Sequence, residues 1–425
     1  MLDGRTAEGH RATQPLNGTL PLGYLVSQYP AANHTYILRE VSELRSLGLD
    51  IVVVSIAEPD RPHDSMIALE RQEAARTLYV KSAGWRRWLG AHARTLLVRP
   101  RGYFRGLWEA LRLARWGCRN PFRWLFYFAE AVIAGAWFMQ SGVRRFHVHF
   151  SSNVALLVVR IFPLSMSLTL HGPEEFDAPA DFFLRRKVEA SVLTCAISNY
   201  GRAQILRNLP PDHWPKVVVS RLGVDVEDFA PVGPRPFSSP AVALCVGRLA
   251  PVKGHRILID ALAILAARGL EVHLRLVGDG PDRGALEQWI AARGLSGAVT
   301  ITGWLNQERL RALYAAADFF VLPSFAEGIP VVLMEAMAMQ IPCIATRVMG
   351  VPELIRDGED GLLVDPAHPE HLALAIARLI GDPALRDRLA LGGRRRVVEC
   401  YSLKRNTAQF ADLLQAAGRA CGSPD

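Results

Sequence analysis

Two short apolar runs near the start, residues 23–27 and 50–55, flank a stretch of helical spacing over about 36–47 that Gly48 stops. Strand, helix and strand in that order make a βαβ unit, because a crossover helix joins parallel neighbours where a tight turn joins antiparallel ones. The alternation recurs. Strand-like pieces follow at 146–150, 168–170, 193–197 and 216–220, and a second series runs 241–247, 272–277, 299–302, 317–322, 342–346 and 361–364. Helical patterns such as 257–267 and 372–380 separate the later ones, and 404–414 reads as a last amphipathic helix. Between the two series, Pro231, Gly233, Pro234, Pro236, Ser238, Ser239 and Pro240 form the best linker in the chain. The class is therefore α/β with parallel sheets, and 425 residues suffice for two domains with separate cores. The expected segments are a disordered tail at 1–19, an N-terminal domain at 20–230 and a linker at 231–240. A second domain at 241–400 and a closing helix at 401–418 complete them.

The first seventeen residues or so are polar and mixed in charge, unlike a secretory signal. No unbroken apolar run reaches membrane-spanning length: 154–170 is interrupted by Arg160 and Pro163, and 122–139 carries Arg123 and Glu130. A chain of this kind that meets a membrane lies on it. The six cysteines are scattered with no Cys-x-x-Cys pair, which argues against a zinc site or disulfide framework and suits a reducing cytosol. Lys and Arg number 49 against 41 Asp and Glu, a net +8 that permits anionic partners without choosing among them.

Much of that excess is local. Residues 81–128 hold Lys81 and ten arginines against a single acid, Glu109, with Trp85, Trp88, Trp108, Trp116 and Trp124 interleaved. Basic and aromatic residues on amphipathic helices suit an interfacial surface facing anionic lipid. The same composition is compatible with ordinary core aromatics under a solvated basic face, or with a single-stranded nucleic acid site.

Chemistry concentrates in the second series. The apolar run 319–322 ends in Pro323 and Ser324, and Glu327, Gly328 and Pro330 then lead into a helix, with Pro330 suited to its first position. That turn offers the free N–H groups around Ile329, Pro330, Val331 and Val332 (Pro330 itself lacking one) as an anion site. Glu335 lies a turn and a half into an apolar helix. It needs a partner, so it faces either a cleft with hydroxyls or cations, or serves as a dipole-offsetting carboxylate. The strand at 241–247 ends in Gly247 and Arg248, with Lys253 and Gly254 close behind. One loop thus projects a bidentate phosphate binder and a mobile point charge, or alternatively a helix start with solvated cations. It is not a Walker A loop, and Gly278-Asp-Gly280 lacks the third glycine of a dinucleotide fingerprint. No Asp-x-Asp pair occurs in the chain, so clustered carboxylates for a Mg²⁺-held diphosphate are missing from the sequence. In the first series, His34 and Thr35 follow a strand's carboxyl end, as ligand or as helix cap. His171 with Gly172 follows another, as catalyst or as satisfied structural residue. His147 and His149 alternate on a strand without further ligands nearby and are not read as a metal site.

Taken in order, Gly247-Arg-Leu with Lys253-Gly254, Val277-Gly-Asp-Gly-Pro281, Glu327 with Glu335, and Gly350-Val-Pro-Glu353 resemble the retaining family 4 (group 1) glycosyltransferases. The resemblance covers about 22–414. Residues 24–30, 34–40, 147–150 and 171–176 are similar to the branch that builds colanic acid and related exopolysaccharides. It implies a GT-B fold, two Rossmann-like domains facing across a cleft with a C-terminal helix crossing back. It also implies a nucleotide diphosphate sugar donor, a lipid-linked oligosaccharide acceptor, no cofactor or metal, and no nucleic acid partner. Gly247, Arg248 and Lys253 would hold the diphosphate, and Glu335 the ribose. Glu327 with Gly328, Ile329, Pro330 and Val331 would hold sugar and phosphate, His171 would reach the donor sugar, and His34 and Thr35 would meet the acceptor. The setting implied is cytoplasmic, peripheral on the inner face of the membrane. A nucleotide-sugar epimerase of the same fold and a non-catalytic basic–aromatic module stay open as alternatives.

Overall fold

The computed structural model describes residues 20–116, 122–172, 174–233 and 236–420. The expected tail at 1–19 lies outside them, as do Arg119, Pro173, Pro234 and the side chains of Arg115 and Trp116.

The strands form two parallel sheets. The first contains β1 (Leu22–Gln28), β2 (Ile51–Ala57), β3 (Leu78–Tyr79), β4 (Arg145–His149), β5 (Ser165–Leu170), β6 (Ser191–Ala196) and β7 (Val217–Val219). The second contains β8 (Ala241–Val246), β9 (Val272–Val277), β10 (Val299–Gly303), β11 (Phe319–Leu322), β12 (Cys343–Thr346) and β13 (Leu362–Val364). Their orders are β3-β2-β1-β4-β5-β6-β7 and β10-β9-β8-β11-β12-β13. Each sheet starts in its middle, winds to one edge, then returns and winds to the other, which is the doubly wound pattern. Such sheets bind ligands outside the carboxyl ends of their strands, where the order reverses. In the second sheet that point lies between β8 and β11.

The strands are legible because helices cover both faces. All four residues of β11 and of β12 are buried, so the sequence there reads Phe-Phe-Val-Leu and Cys-Ile-Ala-Thr, with no apolar–polar alternation. One core of the second sheet is built from Leu258, Leu262 and Leu265 of the helix His255–Ala267 with Leu372, Ile376 and Leu379 of Pro369–Gly381. The other gathers Leu333, Met334 and Met337 of the helix Val331–Ala338 around Tyr314 and Tyr401.

By packing, residues 20–30, 44–116 and 122–166 group together, and a second unit comprises 31–43 with the described residues from 167 onward. In the first unit four helices, Trp85–Val98, Pro100–Trp116, Phe122–Gln140 and Ser152–Ile161, pack on one another. His147 and His149 are fully buried there, with Tyr24 ring centroids at 5.5 and 5.7 Å. They are part of the packing. In the second unit the last helix, Leu403–Ala420, runs six residues beyond the expected 404–414 and lies against β6. The Leu403 N–H donates to the Val224 carbonyl at 2.9 Å, and Asn406 Nδ2 donates to the Leu222 carbonyl at 2.9 Å. The segment 231–240 falls between β7 and β8, hence between the two sheets.

Candidate active site

The loops leaving β8 and β11 meet. Lys253 sits in a short 3-10 turn, Pro251–Lys253, and its Nζ donates to Glu327 Oε1 at 2.6 Å. Ser324 Oγ donates to the same oxygen at 2.7 Å, so the buried Glu327 carboxylate is fixed by two donors. The Ser324 carbonyl in turn accepts from Thr346 Oγ1 at the end of β12. Lys253 has two further N–H bonds to give. Arg248, by contrast, is exposed, and its side chain has no hydrogen bond or ion pair among the described residues. Behind this loop lies 278–280. A Cβ on Gly278 would fall 2.0 Å from the Gly247 carbonyl oxygen, and one on Gly280 would fall 2.3 Å from that of Leu249. Those two glycines serve close backbone approach, which props the Arg248 loop from below.

The helix after β11 begins at Val331. Pro330, expected as its first residue, is instead the cap, its ψ of 117° keeping the backbone extended. Glu335 is buried, and its carboxylate has two protein partners. Arg39 Nη1 donates to Oε1 at 3.0 Å, and the Tyr314 hydroxyl donates to Oε2 at 3.2 Å. Burial, then the Glu335 charge, pushes the Tyr314 hydroxyl well above its ordinary pKa, so it stays a donor. A cation and a hydroxyl are the partners an apolar-helix glutamate required.

His171 follows β5 directly, as read from the sequence. It is nearly buried, and its N–H and that of Gly172 both donate to Glu175 Oε2, at 2.6 and 3.2 Å. Its carbonyl lies against Gly328: a Cβ there would sit 2.1 Å from the His171 oxygen, while one on Gly350 would sit 2.1 Å from the Gly328 oxygen. Three backbone segments therefore stack with no room for a side chain between them. The Tyr36 ring bridges His171, at 5.3 Å between centroids, and His34, at 6.0 Å. Thr35 opens the helix Thr35–Ser46, which also carries Arg39. His34, Thr35, His171, Gly328 and Glu335 thus share one neighbourhood, joined by Tyr36 and Arg39. Next to it Lys187 is fully buried, its Nζ 3.2 Å from the Phe182 ring centroid. Burial, opposed by Glu175, pulls its pKa down to about 7.

Arg39, Tyr314 and Ser324 were not legible as site residues. Arg39 lies 296 positions from its partner; its segment 34–40 carries a resemblance, but only the carboxylate's need for a partner points to the pairing. Glu353, quoted in a motif, has a structural part: it accepts from the Asn199 and Tyr200 N–H groups at 2.9 and 2.7 Å, where a helix starts. Chemically, a phosphate at the end of β8 would meet the Arg248 fork, the remaining Lys253 donors and the open N–H groups of the helix at Val331. Among the described residues no three His, Cys, Asp or Glu side chains are grouped to hold a metal ion.

Residues 229–396 match the family model described as "Glycosyl transferases group 1". The chain is 26% identical to the putative colanic acid biosynthesis glycosyltransferase WcaL of Salmonella typhimurium, over 93% of this chain and 100% of that protein. It is 38% identical to the alpha-D-kanosaminyltransferase of Streptomyces kanamyceticus, over 42% of this chain and 46% of that one. The solved structure of Anabaena Alr3699/HepE in complex with UDP shares the fold, with a TM-score of 0.68 at 18% identity, covering 93% of this chain and 100% of that chain.

Proposed function

We propose that this chain is a group 1 glycosyl transferase, and a retaining, metal-independent hexosyltransferase; the match of residues 229–396 to that family's model, in a chain of two parallel α/β sheets, supports the reading. Its donor is a nucleoside diphosphate sugar, and its acceptor is a lipid-linked oligosaccharide of an exopolysaccharide. One observation carries the reading. Glu327, held by Lys253 and Ser324 at the end of β11, lies beside the exposed Arg248 loop at the end of β8. A carboxylate for sugar hydroxyls and two cations for a leaving diphosphate are what transfer from such a donor requires. The HepE structure was solved with UDP, and WcaL is named for colanic acid biosynthesis, which supports the donor class and the exopolysaccharide setting.

In the proposed reaction the bond from the anomeric carbon to the diphosphate oxygen breaks, and a bond to the acceptor oxygen forms on the same face. The acceptor proton passes to the departing phosphate oxygen, so no protein nucleophile is needed. Charge grows on the diphosphate as it leaves, where Arg248 and Lys253 stabilise it more than in the ground state. Those two cations, in a sequence with no Asp-x-Asp pair, support the metal-free form. Glu335 takes the ribose hydroxyls and His171 a hydroxyl of the donor sugar.

The test is a panel of nucleotide sugars screened for thermal stabilisation and slow hydrolysis, then transfer with excess EDTA. One donor should stand out, EDTA should leave the rate unchanged, and NMR of the product should show the donor's anomeric configuration. Loss of activity restored only by Mg²⁺ or Mn²⁺, an inverted product, or epimerisation of the nucleotide sugar without transfer would each overturn the corresponding part.

A further inference from the structure

The helix Pro100–Trp116 is apolar on two opposite faces. Gly102, Gly106, Ala110 and Leu113 recur every three or four residues, and that stripe is buried. A Cβ on Gly102 would lie 2.3 Å from the Ile161 carbonyl oxygen, one on Gly106 would lie 2.3 Å from the Ile161 side chain, and Ala110 and Leu113 are fully covered. About half a turn away, Phe104, Trp108 and Leu111 make a second stripe that is 59%, 67% and 43% exposed. The helices packed with it repeat the arrangement. Trp85, Leu89 and Leu97 are exposed on Trp85–Val98, and Phe122 and Phe126 on Phe122–Gln140. Large apolar side chains at helical spacing on three mutually packed helices are unlike singly scattered exposed residues.

The polar side chains among them are arginines. Arg86, Arg87, Arg101, Arg105, Arg112 and Arg123 are exposed, and none has a carboxylate partner among the described residues. Glu109 is the one acid in the sequence over 81–128. We infer that this helical face docks on the surface of an anionic lipid membrane. Its Phe, Trp and Leu side chains enter below the headgroups, and the arginines meet lipid phosphates. Charge selects the partner. The arginines rule out a second copy of the same face by like-charge repulsion. The aliphatic Leu89, Leu97 and Leu111 have no use against nucleic acid, whose bases reward flat rings. No helix among the described residues is long and apolar enough to cross a bilayer, so the face lies in the interface plane.

The inference deepens the lipid-linked acceptor reading, which would place acceptor and enzyme at one surface, but its physical basis is the helices alone. Its test needs no sugar and fails separately. The full chain is floated with vesicles of phosphatidylcholine, and of phosphatidylcholine with one part in three phosphatidylglycerol. Flotation should need the anionic lipid and weaken with salt, since exposed charges are screened over about 10 Å at 0.1 M. Each arginine changed to glutamine should lower partitioning about fivefold, so a triple Arg86→Gln, Arg101→Gln, Arg112→Gln variant should lose about a hundredfold. A Phe104→Ser, Trp108→Ser variant should lose flotation with little change in melting temperature, because both side chains are more than half exposed. Equal flotation with neutral vesicles, no flotation, variants that float like the parent, or tighter binding to a single-stranded oligonucleotide would overturn the inference.

Discussion

Replacing Arg39 by alanine should destabilise the protein, and a second substitution at its partner Glu335 should then cost much less than it does alone. The Arg39 and Glu335 side chains are 11% and 6% exposed and meet at 3.0 Å. Removing one partner of a buried pair leaves the other charge uncompensated, at roughly 3–5 kcal/mol. Two features place this pair at the lower end. The Tyr314 hydroxyl still serves Glu335 Oε2, and the residual exposure at Arg39 admits water to the vacated space. Arg39 also stands 5.2 Å from the Phe229 ring centroid, a contact worth roughly 0.5–1 kcal/mol that no change at Glu335 recovers. The expectation is a loss of about 3 kcal/mol for Arg39→Ala. Glu335→Gln, which strands the guanidinium instead, should show a similar loss. The double variant should fall short of their sum by about 2 kcal/mol. Urea unfolding followed by tryptophan fluorescence reads all four members of the cycle, and Arg39→Lys, keeping the charge without the fork, should lie between parent and alanine. If the two single losses simply add, the pair carries no coupling and the account of why Glu335 is tolerated in an apolar helix is wrong.

Three further outcomes are expected. Glu327→Gln should lower kcat about tenfold or more with little change in donor KM, because its carboxylate matters most as the glycosidic bond opens; full turnover in a normally folded variant would contradict the site assignment. Gly328→Ala should lose activity and melt lower, since a Cβ would fall 2.1 Å from the His171 carbonyl oxygen, and a variant indistinguishable from the parent would remove the backbone stack as a constraint. Lys187→Met should be pH-dependent in its benefit. With the folded pKa near 7 and the unfolded value near 10.4, the unfolded chain holds a proton that the folded chain lacks between them. Parent stability therefore rises with pH over that window, and the burial penalty is felt in full below pH 7. The variant's advantage should be largest below pH 7 and shrink by about 1.4 kcal/mol per pH unit toward pH 10, whereas a constant difference from pH 6 to 10 would refute it.

The fold was readable because parallel strands covered on both faces are continuous apolar runs. The expected 241–247 and 272–277 correspond to Ala241–Val246 and Val272–Val277 within a residue. Where a strand mixes in serine, as Ser165, Met166 and Ser167 do at the start of β5, the unbroken run begins only at 168. The two-residue β3 has too few side chains to make a pattern. The candidates' positions were legible where a local rule applies: Glu327 before a helix, Arg248 and Lys253 on one loop, His171 at a strand end. Arg39 obeys no local rule. Its sequence position is that of an ordinary helical arginine, and its meaning comes only from the glutamate that folding brings to it.

The helix Leu403–Ala420 against β6 has a consequence for synthesis. The strand it covers leaves the ribosome roughly two hundred residues earlier, which at about 5–20 residues per second is an interval of some 10–40 seconds. Throughout that time the newly made first sheet presents an apolar face that nothing later in the chain has yet reached. This late helix therefore finishes a part of the molecule made about two hundred residues before it. Until they arrive, that face is open to chaperones.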